Sequence, residues 1–273
     1  MLLYKYFPEN TGMLTLDNQF LKLSAPVEFN DPYENWPYIK SYSYRDFNRL
    51  YDTKEKLENL YDNIRADCNM ITKDEFYKKI KDIRFKNAVL AAESKIIQEW
   101  IDTYQQHISE KIRIGCFTKD PCNILMWGHY ADCHKGIALG FDFSDDSNLM
   151  EHLFKVHYSK RNYGLDIKYC YGKIPSLVQM VEILTRKYNA WKYEKEYRLV
   201  LLTNELDNNN NLYGINGIDK YLQQIIIGYK TDDKTIDKIY SLYGGKKQIL
   251  RCMLKNSDYC IKISEDWRNY GKK

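Results

Sequence analysis

Between about Arg45 and Lys111 the spacing of apolar residues changes from that of a strand to that of a helix, and after Lys111 it changes back. Phe47, Leu50 and Tyr51, then Leu57, Leu60, Tyr61 and Ile64, and later Ile97, Trp100, Ile101, Tyr104 and Ile108 recur at three- and four-residue intervals. That is the period of one buried helical face. Two or three amphipathic helices packed on strands are expected there. Around them the runs are short and strand-like. LLYKYF reads as a strand, TGMLTLDNQFLKLSAP as a turn with a second strand, and FNDPYENWP as a loop. After Lys111 come IRIGCFT, GIALGFDF and FKVHYS, with a short helix across ILMWGHYA.

Residues 176–190 have helical periodicity, and Tyr193 to Leu202 alternate like a strand. QQIIIGY is a buried strand, TDDKTIDKIYSLYG a helix ending at Gly244, and QILRCMLKN with YCIKIS a closing hairpin. The loop Asn204 to Asn216 caps a hairpin rather than dividing domains. No internal repeat is present, which excludes solenoids and propellers. The reading is an α+β fold in one domain, residues 1–273, with a helical insertion at about 41–111.

Composition narrows the function classes. The 41 basic residues are scattered among 37 acidic ones, for a net charge of +4, so contact with nucleic acid is permitted but not argued for. Seven cysteines lack the spacing of a secreted disulfide framework, so reduced thiols in a cytoplasm are expected. No charged start leads into an apolar stretch, and nowhere do about 18 apolar residues run together. A cytoplasmic protein with no membrane partner is expected. The wealth of Lys, Asn, Ile and Tyr looks like the drift of an AT-rich bacterial genome.

Three short motifs carry chemistry. In SAPVEFNDPYE (24–34), Asp31 before Pro32 with Glu34 three residues on is the pattern of a helix start. The functional alternative makes Asn30, Asp31 and Glu34 a polar loop at a cleft, with Asn suited to ribose or amide recognition. In CFTKDPCNILMWGHYADCHKG (116–136), Trp127, His129, Tyr130 and His134 crowd into eight residues. Aromatic packing over the sheet competes there with a stacking surface for a nicotinamide or nucleobase. Cys122, His129, Cys133 and His134 are possible zinc ligands but lack any CxxC or HxxxH pair, so no metal is expected. In WKYEKEYRLVLL (191–202), strand alternation puts Glu194, Glu196 and Arg198 on one face and Trp191, Tyr193 and Tyr197 on the other. Two desolvated carboxylates raise each other's pKa while a neighbouring Arg keeps one ionised, an arrangement able to hold sugar hydroxyls.

The order LYKY, LSAPVEFNDPYE, CFTKDPCNILMWGHYADCHKGIALGFD, WKYEKEYRLV and IIIGY resembles the bacterial domain-of-unknown-function family DUF2971, from Leu3 to about Tyr229. The layout is also similar to the ADP-ribosyltransferase fold, which holds NAD in a cleft between two small twisted, mostly antiparallel sheets. That fold places a His or Arg on its first strand, a Ser or Tyr on a middle strand and a Glu at the start of a later one. Here Tyr4, Lys5 and Tyr6, then Thr118, then Glu194 and Glu196 occupy those places, with Lys and Thr departing from the pattern.

This second resemblance implies an NAD-consuming transferase or glycohydrolase, toxin-like or active in phage defence. Glu196 would stabilise the ribosyl cation, with Glu194 and Thr118 beside it. Lys5 or Arg198 would hold the pyrophosphate, Tyr6 with Trp127 or Tyr130 the nicotinamide, and Asn30 or Asp31 the ribose, with Tyr4 in the same wall. The acceptor is a protein, a nucleic acid or water. Two other readings remain open: a non-catalytic binding module, and a metal-dependent nucleic-acid hydrolase built on Asp31, Glu34, Glu194 and Glu196.

Overall fold

The structure, a computed structural model, describes residues 1–40, 44–67, 71–92, 94–171, 175–255 and 257–265. Cys68, the first residues of the expected helical insertion (41–43) and Asn256 of the closing hairpin lie outside them. The elements run β1 (Leu2–Phe7), α1 (Glu9–Asp17), β2 (Phe20–Lys22), a 3-10 turn Pro26–Glu28, β3 (Tyr38–Ile39), α2 (Tyr44–Leu50), α3 (Lys54–Asp67), α4 (Lys73–Lys79), α5 (Ile83–Ala92) and α6 (Ser94–Lys111). There follow β4 (Ile112–Thr118), α7 (Ile124–Tyr130), β5 (Ile137–Asp142), α8 (Ser147–Glu151), β6 (Leu153–Lys155), β7 (His157–Ser159), β8 (Gly164–Leu165), α9 (Leu177–Leu184) and β9 (Arg186–Tyr188). After a 3-10 stretch Asn189–Glu194 come β10 (Glu196–Leu202), β11 (Asp207–Asn209), β12 (Leu212–Asn216), β13 (Leu222–Ile227), α10 (Asp233–Tyr243), β14 (Gln248–Leu254) and β15 (Ile261–Ser264).

The architecture is mixed α and β, as expected for an α+β chain, and it divides into two units. One comprises residues 1–34, 107–161 and 185–273. Its centre is an eight-stranded sheet in the order β15-β14-β13-β5-β1-β4-β10-β6. Neighbours are antiparallel except β13 and β14, which run parallel because α10 carries the chain back between them. Side chains alternate across the sheet. Leu3 and Phe7 of β1 join Met13 and Leu16 of α1 and Ile236 and Ile239 of α10 in one core, while Tyr4 and Tyr6 join Trp127 of α7 and Ala131 just past it in another.

Where two small sheets are expected, an eight-stranded sheet is accompanied by a three-stranded one in the order β11-β12-β2, and the larger is nearly divided at its middle. β1 and β5 pair along all six residues, and β4 and β10 along seven. β1 and β4, however, meet at one Cα pair only, Tyr4 with Thr118. Beyond that pair β4 turns to another partner, Ser24, which exchanges hydrogen bonds with Ile114. A five-stranded and a three-stranded half are thus joined at one point and splay apart from it.

The other unit comprises residues 35–106 and 162–184. It contains α2, α3, α4, α5, most of α6, α9 and the short parallel pair β3 and β8. Phe47, Leu60, Tyr61, Phe76, Leu90 and Ile167 form its core. Where two or three helices are expected between 45 and 111, five are described, because the region is punctuated: Thr72 and Glu75 form a reciprocal capping box that starts α4 afresh.

Four other local readings need correction. The helical periodicity of 176–190 holds only through α9, which ends at Leu184; Arg186–Tyr188 is the strand β9. Residues Glu9–Asp17 are helix rather than turn. Gly12 marks a close approach instead, since a Cβ there would sit 2.5 Å from Ile137 Cγ1. FKVHYS is two strands: Val156 N donates to Glu196 O and His157 N to Thr185 O, so the chain leaves the main sheet for β9. Asp31 starts no helix; its Oδ1 accepts from Tyr33 N at 2.9 Å within a turn.

Candidate active site

The splayed strands open a cavity of about 420 Å³ in the first unit. Tyr4, Lys5 and Tyr6 line it from β1, and Cys116 and Phe117 from β4. Ser24, Phe29, Asn30 and Glu34 come from the loop after β2, and Met126, His129 and Tyr130 from α7. Lys187, Glu194 and Glu196 complete the wall.

Five charges are buried at one side of it. Lys187 Nζ lies 2.7 Å from Glu34 Oε1, 2.6 Å from Glu194 Oε2 and 3.2 Å from Glu196 Oε2. Arg198 donates through Nε to Glu196 Oε1 at 2.8 Å and through a terminal nitrogen to Glu34 Oε2 at 2.5 Å. Tyr130 donates its hydroxyl to Glu194 Oε1 at 2.7 Å. Charges this deep persist only when paired, and three carboxylates against two cations leave one negative charge over.

The local backbone explains how Glu194 joins the cluster. Alternation puts it on the strand with Glu196 and Arg198, but β10 begins only at Glu196. Glu194 ends the 3-10 stretch, and Lys195 at φ 48° turns the chain between them. Trp191 and Tyr193 are likewise off the strand; Tyr193 lies 6.1 Å from Trp191 and 6.3 Å from the His129 ring.

The two neighbouring carboxyls titrate in opposite directions. Burial pushes Glu194 up to about 7, with Lys187 opposing the rise and Glu196 adding to it. Burial also disfavours ionised Glu196, but Arg198 and Lys187 override it and hold that carboxyl down at about 2. Lys187 and Arg198 are held above their ordinary values, because the carboxylates outweigh burial.

Stability should therefore carry two opposite pH dependences. Across pH 4.5 to about 7 the unfolded Glu194 has lost its proton while the folded one keeps it, so its contribution falls as pH rises. Glu196 contributes above pH 4.5 and loses that contribution as pH falls toward 2. Melts of the parent and Glu194→Gln at pH 5 and pH 7.5 check the first: the drop in Tm between them should be smaller in the variant. An equal drop in both would remove the assignment.

Lys5 stands apart from the network. Its ammonium lies 5.7 Å from the Phe7 ring and 5.8 Å from that of Phe117, and among the described residues it makes no hydrogen bond or ion pair. Burial lowers its pKa, and nearby Cys116 and Glu196 offset part of that. Burial, then Glu196, pushes the Cys116 thiol far up, so it stays protonated.

Of the residues read from the sequence, Tyr4, Lys5, Tyr6, Asn30, Tyr130, Glu194 and Glu196 meet around the cavity. Four do not. Trp127 is fully buried, donates Nε1 to Pro121 O at 2.8 Å and packs edge-on against Tyr6 at 5.0 Å, so it offers no stacking face. Arg198 has no exposed surface and is committed to Glu34 and Glu196, which leaves it no reach to a pyrophosphate. Thr118 is buried, and its Oγ1 accepts from Asp120 N at 3.0 Å. Asp31 is spent on its turn.

Lys187 was missed. The signal available was charge balance, since buried acids need cations. Among the described residues no His, Cys, Asp and Glu group of three or more is placed to hold a metal, and Lys187 Nζ stands where a cation shared by Glu34, Glu194 and Glu196 would sit. Among the same residues no helix is long and apolar enough to cross a membrane.

No curated protein and no solved structure matches the chain. Residues 126–199 match the model of the family described as Protein of unknown function (DUF2971). That span runs from α7 into β10 and includes Tyr130, Lys187, Glu194, Glu196 and Arg198. Over this segment the chain is similar to the DUF2971 family.

Proposed function

We propose that this chain is an NAD-consuming enzyme, a transferase or glycohydrolase that breaks the bond between ribose and nicotinamide. One observation carries the reading: neighbouring carboxyls on one cavity wall, Glu196 held ionised and Glu194 poised near neutrality. Environments that push two acids apart in this way divide their roles.

As the C1′–N bond breaks, positive charge develops on the ribose, and nicotinamide leaves neutral with the bonding electrons. An ionised carboxylate at a ribose hydroxyl stabilises that charge more than it stabilises the ground state. Glu196 already accepts from Arg198 Nε at 2.8 Å and, over the longer distances of 3.3 and 3.2 Å, from an Arg198 terminal nitrogen and from Lys187, so a ribose hydroxyl engages it by displacing one of the two longer contacts. Glu194 suits the second half: a carboxylate titrating near 7 takes the proton of an acceptor hydroxyl or water as it attacks C1′. Tyr4, Tyr6 and Tyr130 supply ring surface, Asn30 an amide for ribose, and Lys5 an unpaired ammonium for phosphate.

The strand layout supports the ADP-ribosyltransferase-like arrangement. β1 with Lys5, β4 with Thr118 and β10 with Glu196 are consecutive neighbours, and Thr118 is the register partner of both Tyr4 and Glu196.

The test is release of nicotinamide from NAD by the pure protein. Glu196→Gln should lower the rate by roughly 10²–10³, the loss typical of removing one transition-state electrostatic partner, with its fold verified by a melt. Glu194→Gln should lower transfer and abolish its rise near pH 7. Release that survives Glu196→Gln unchanged, or no release with water, protein or nucleic acid as acceptor, would sink the reading in favour of a binding module.

A further inference from the structure

We propose that a lysine-lined hollow beside the free edge of the eight-stranded sheet binds the phosphate backbone of a single-stranded nucleic acid. The hollow is about 660 Å³ and lies within the first unit. Lys119 enters it just past β4, Lys155 from the end of β6, His157 from the start of β7, and Lys192 and Lys195 from the segment leading into β10. All five are exposed. Lys195 pairs with Asp120 at 2.8 Å, whereas Lys119, Lys155 and Lys192 have no ion pair among the described residues.

This is a local concentration in a chain of net charge only +4. No acidic residue occurs between Glu151 and Asp166, a stretch that carries Lys155, His157, Lys160 and Arg161. Lysines on an edge strand also guard against stray strand pairing, and that explains Lys155 on β6. It does not explain why Lys119, Lys192 and Lys195 converge on the same hollow from other elements.

Ring surface distinguishes a strand from a lone phosphate. Tyr158 and Tyr197 line the hollow half-buried, and Tyr158 is fixed by the 2.8 Å hydrogen bond that its hydroxyl accepts from Glu196 N. Lys119 Nζ lies 4.7 Å above the Tyr197 ring. Tyr188, 55% exposed, is the register partner of Ser159 at the end of β7. Cations spaced along a groove with interleaved tyrosine rings suit a backbone whose unpaired bases stack; a duplex offers no such faces. The site is separate from the cavity, since no residue lines both.

Fluorescence anisotropy of the full chain with labelled oligothymidylate and oligouridylate of about 15 nucleotides tests this. Lys155→Glu with Lys192→Glu should weaken binding tenfold or more and flatten its salt dependence by about two phosphate contacts. Lys119→Gln with Lys192→Gln should weaken it without reversing charge. Lys262→Glu, an exposed lysine on β15 at the other end of the sheet, should not. Glu196→Gln should bind as the parent does, so loss of NAD chemistry and loss of this site read out separately. The proposal is overturned if neither oligonucleotide binds, if the double variants bind unchanged, if a duplex binds as well as the single strand, or if inorganic phosphate or ADP competes as well as the unlabelled strand does.

Discussion

Arg198→Met is expected to lower stability by about 3–5 kcal/mol, the cost of removing one partner from a buried ion pair, and with it Tm by roughly 10 °C. The side chain has no exposed surface, and both its carboxylate partners, Glu34 and Glu196, are equally deep. Met approximates the volume, so the loss is electrostatic. Lys187 alone would then face three carboxylates. The packing of the guanidinium over the Phe29 ring, 5.1 Å away, is lost as well.

The deficit should depend on pH in a direction that simple packing damage would not show. With Arg198 gone, the strongest pull holding Glu196 ionised disappears, and its carboxyl rises from about 2. The deficit should be largest near pH 7, where ionised Glu196 is left without its guanidinium, and shrink below pH 4.5, where Glu196 can be neutral. Adding Glu34→Gln and Glu196→Gln should recover part of the loss, because a neutral cluster no longer needs the cation. Urea titrations at pH 4 and pH 7 measure both. A deficit equal at the two pH values, or one that the added substitutions deepen, would show that the five charges do not form one unit.

How far this arrangement could be read from the sequence depends on which forces are local. β1, β4, β5, β13 and α10 followed from periodicity, because each buries its face in the element the pattern names. Gly12 misled, since glycine signals a turn locally but here allows α1 to lie against Ile137. Glu196 and Arg198 were placed correctly by strand alternation, whereas Glu194 reaches the same cluster by another route, the left-handed turn at Lys195. Lys187 carried no local mark: an interior lysine is specified only by the acids around it, and Glu34 is 153 positions away in the sequence. The cavity itself arises from one register pair, Tyr4 with Thr118, and from Ser24 taking over β4 beyond it. Neither is a property of any single segment.

Trp127→Ala is expected to cost about 3–5 kcal/mol, the range for truncating a buried aromatic, and to do so whether or not a nucleotide is present. Trp127 has no exposed surface and packs with Tyr4, Tyr6, Ala131, Ala138 and Ile226. Its indole also fastens the turn before α7, where Pro121 O accepts from Nε1 and Asp120 O accepts from the Tyr6 hydroxyl. Asn123 caps the same helix through Leu125 N and Met126 N and reaches Tyr193 O at 2.7 Å. Past the helix, Asp132, Cys133 and His134 take successive left-handed φ values of 45°, 50° and 75°, and His134 N donates to Trp127 O. Side chains other than glycine hold such angles only where the surroundings enforce them, so the ring anchors a corner rather than a ligand. Trp127→Phe should then lose less: most of the burial stays, and the cost is about 1–3 kcal/mol for the Pro121 carbonyl left without its donor. Denaturation midpoints rank the three proteins, with NAD affinity measured in parallel. If Trp127→Phe keeps full stability and loses only affinity for NAD, the indole belongs to the binding surface and its assignment as a structural anchor fails.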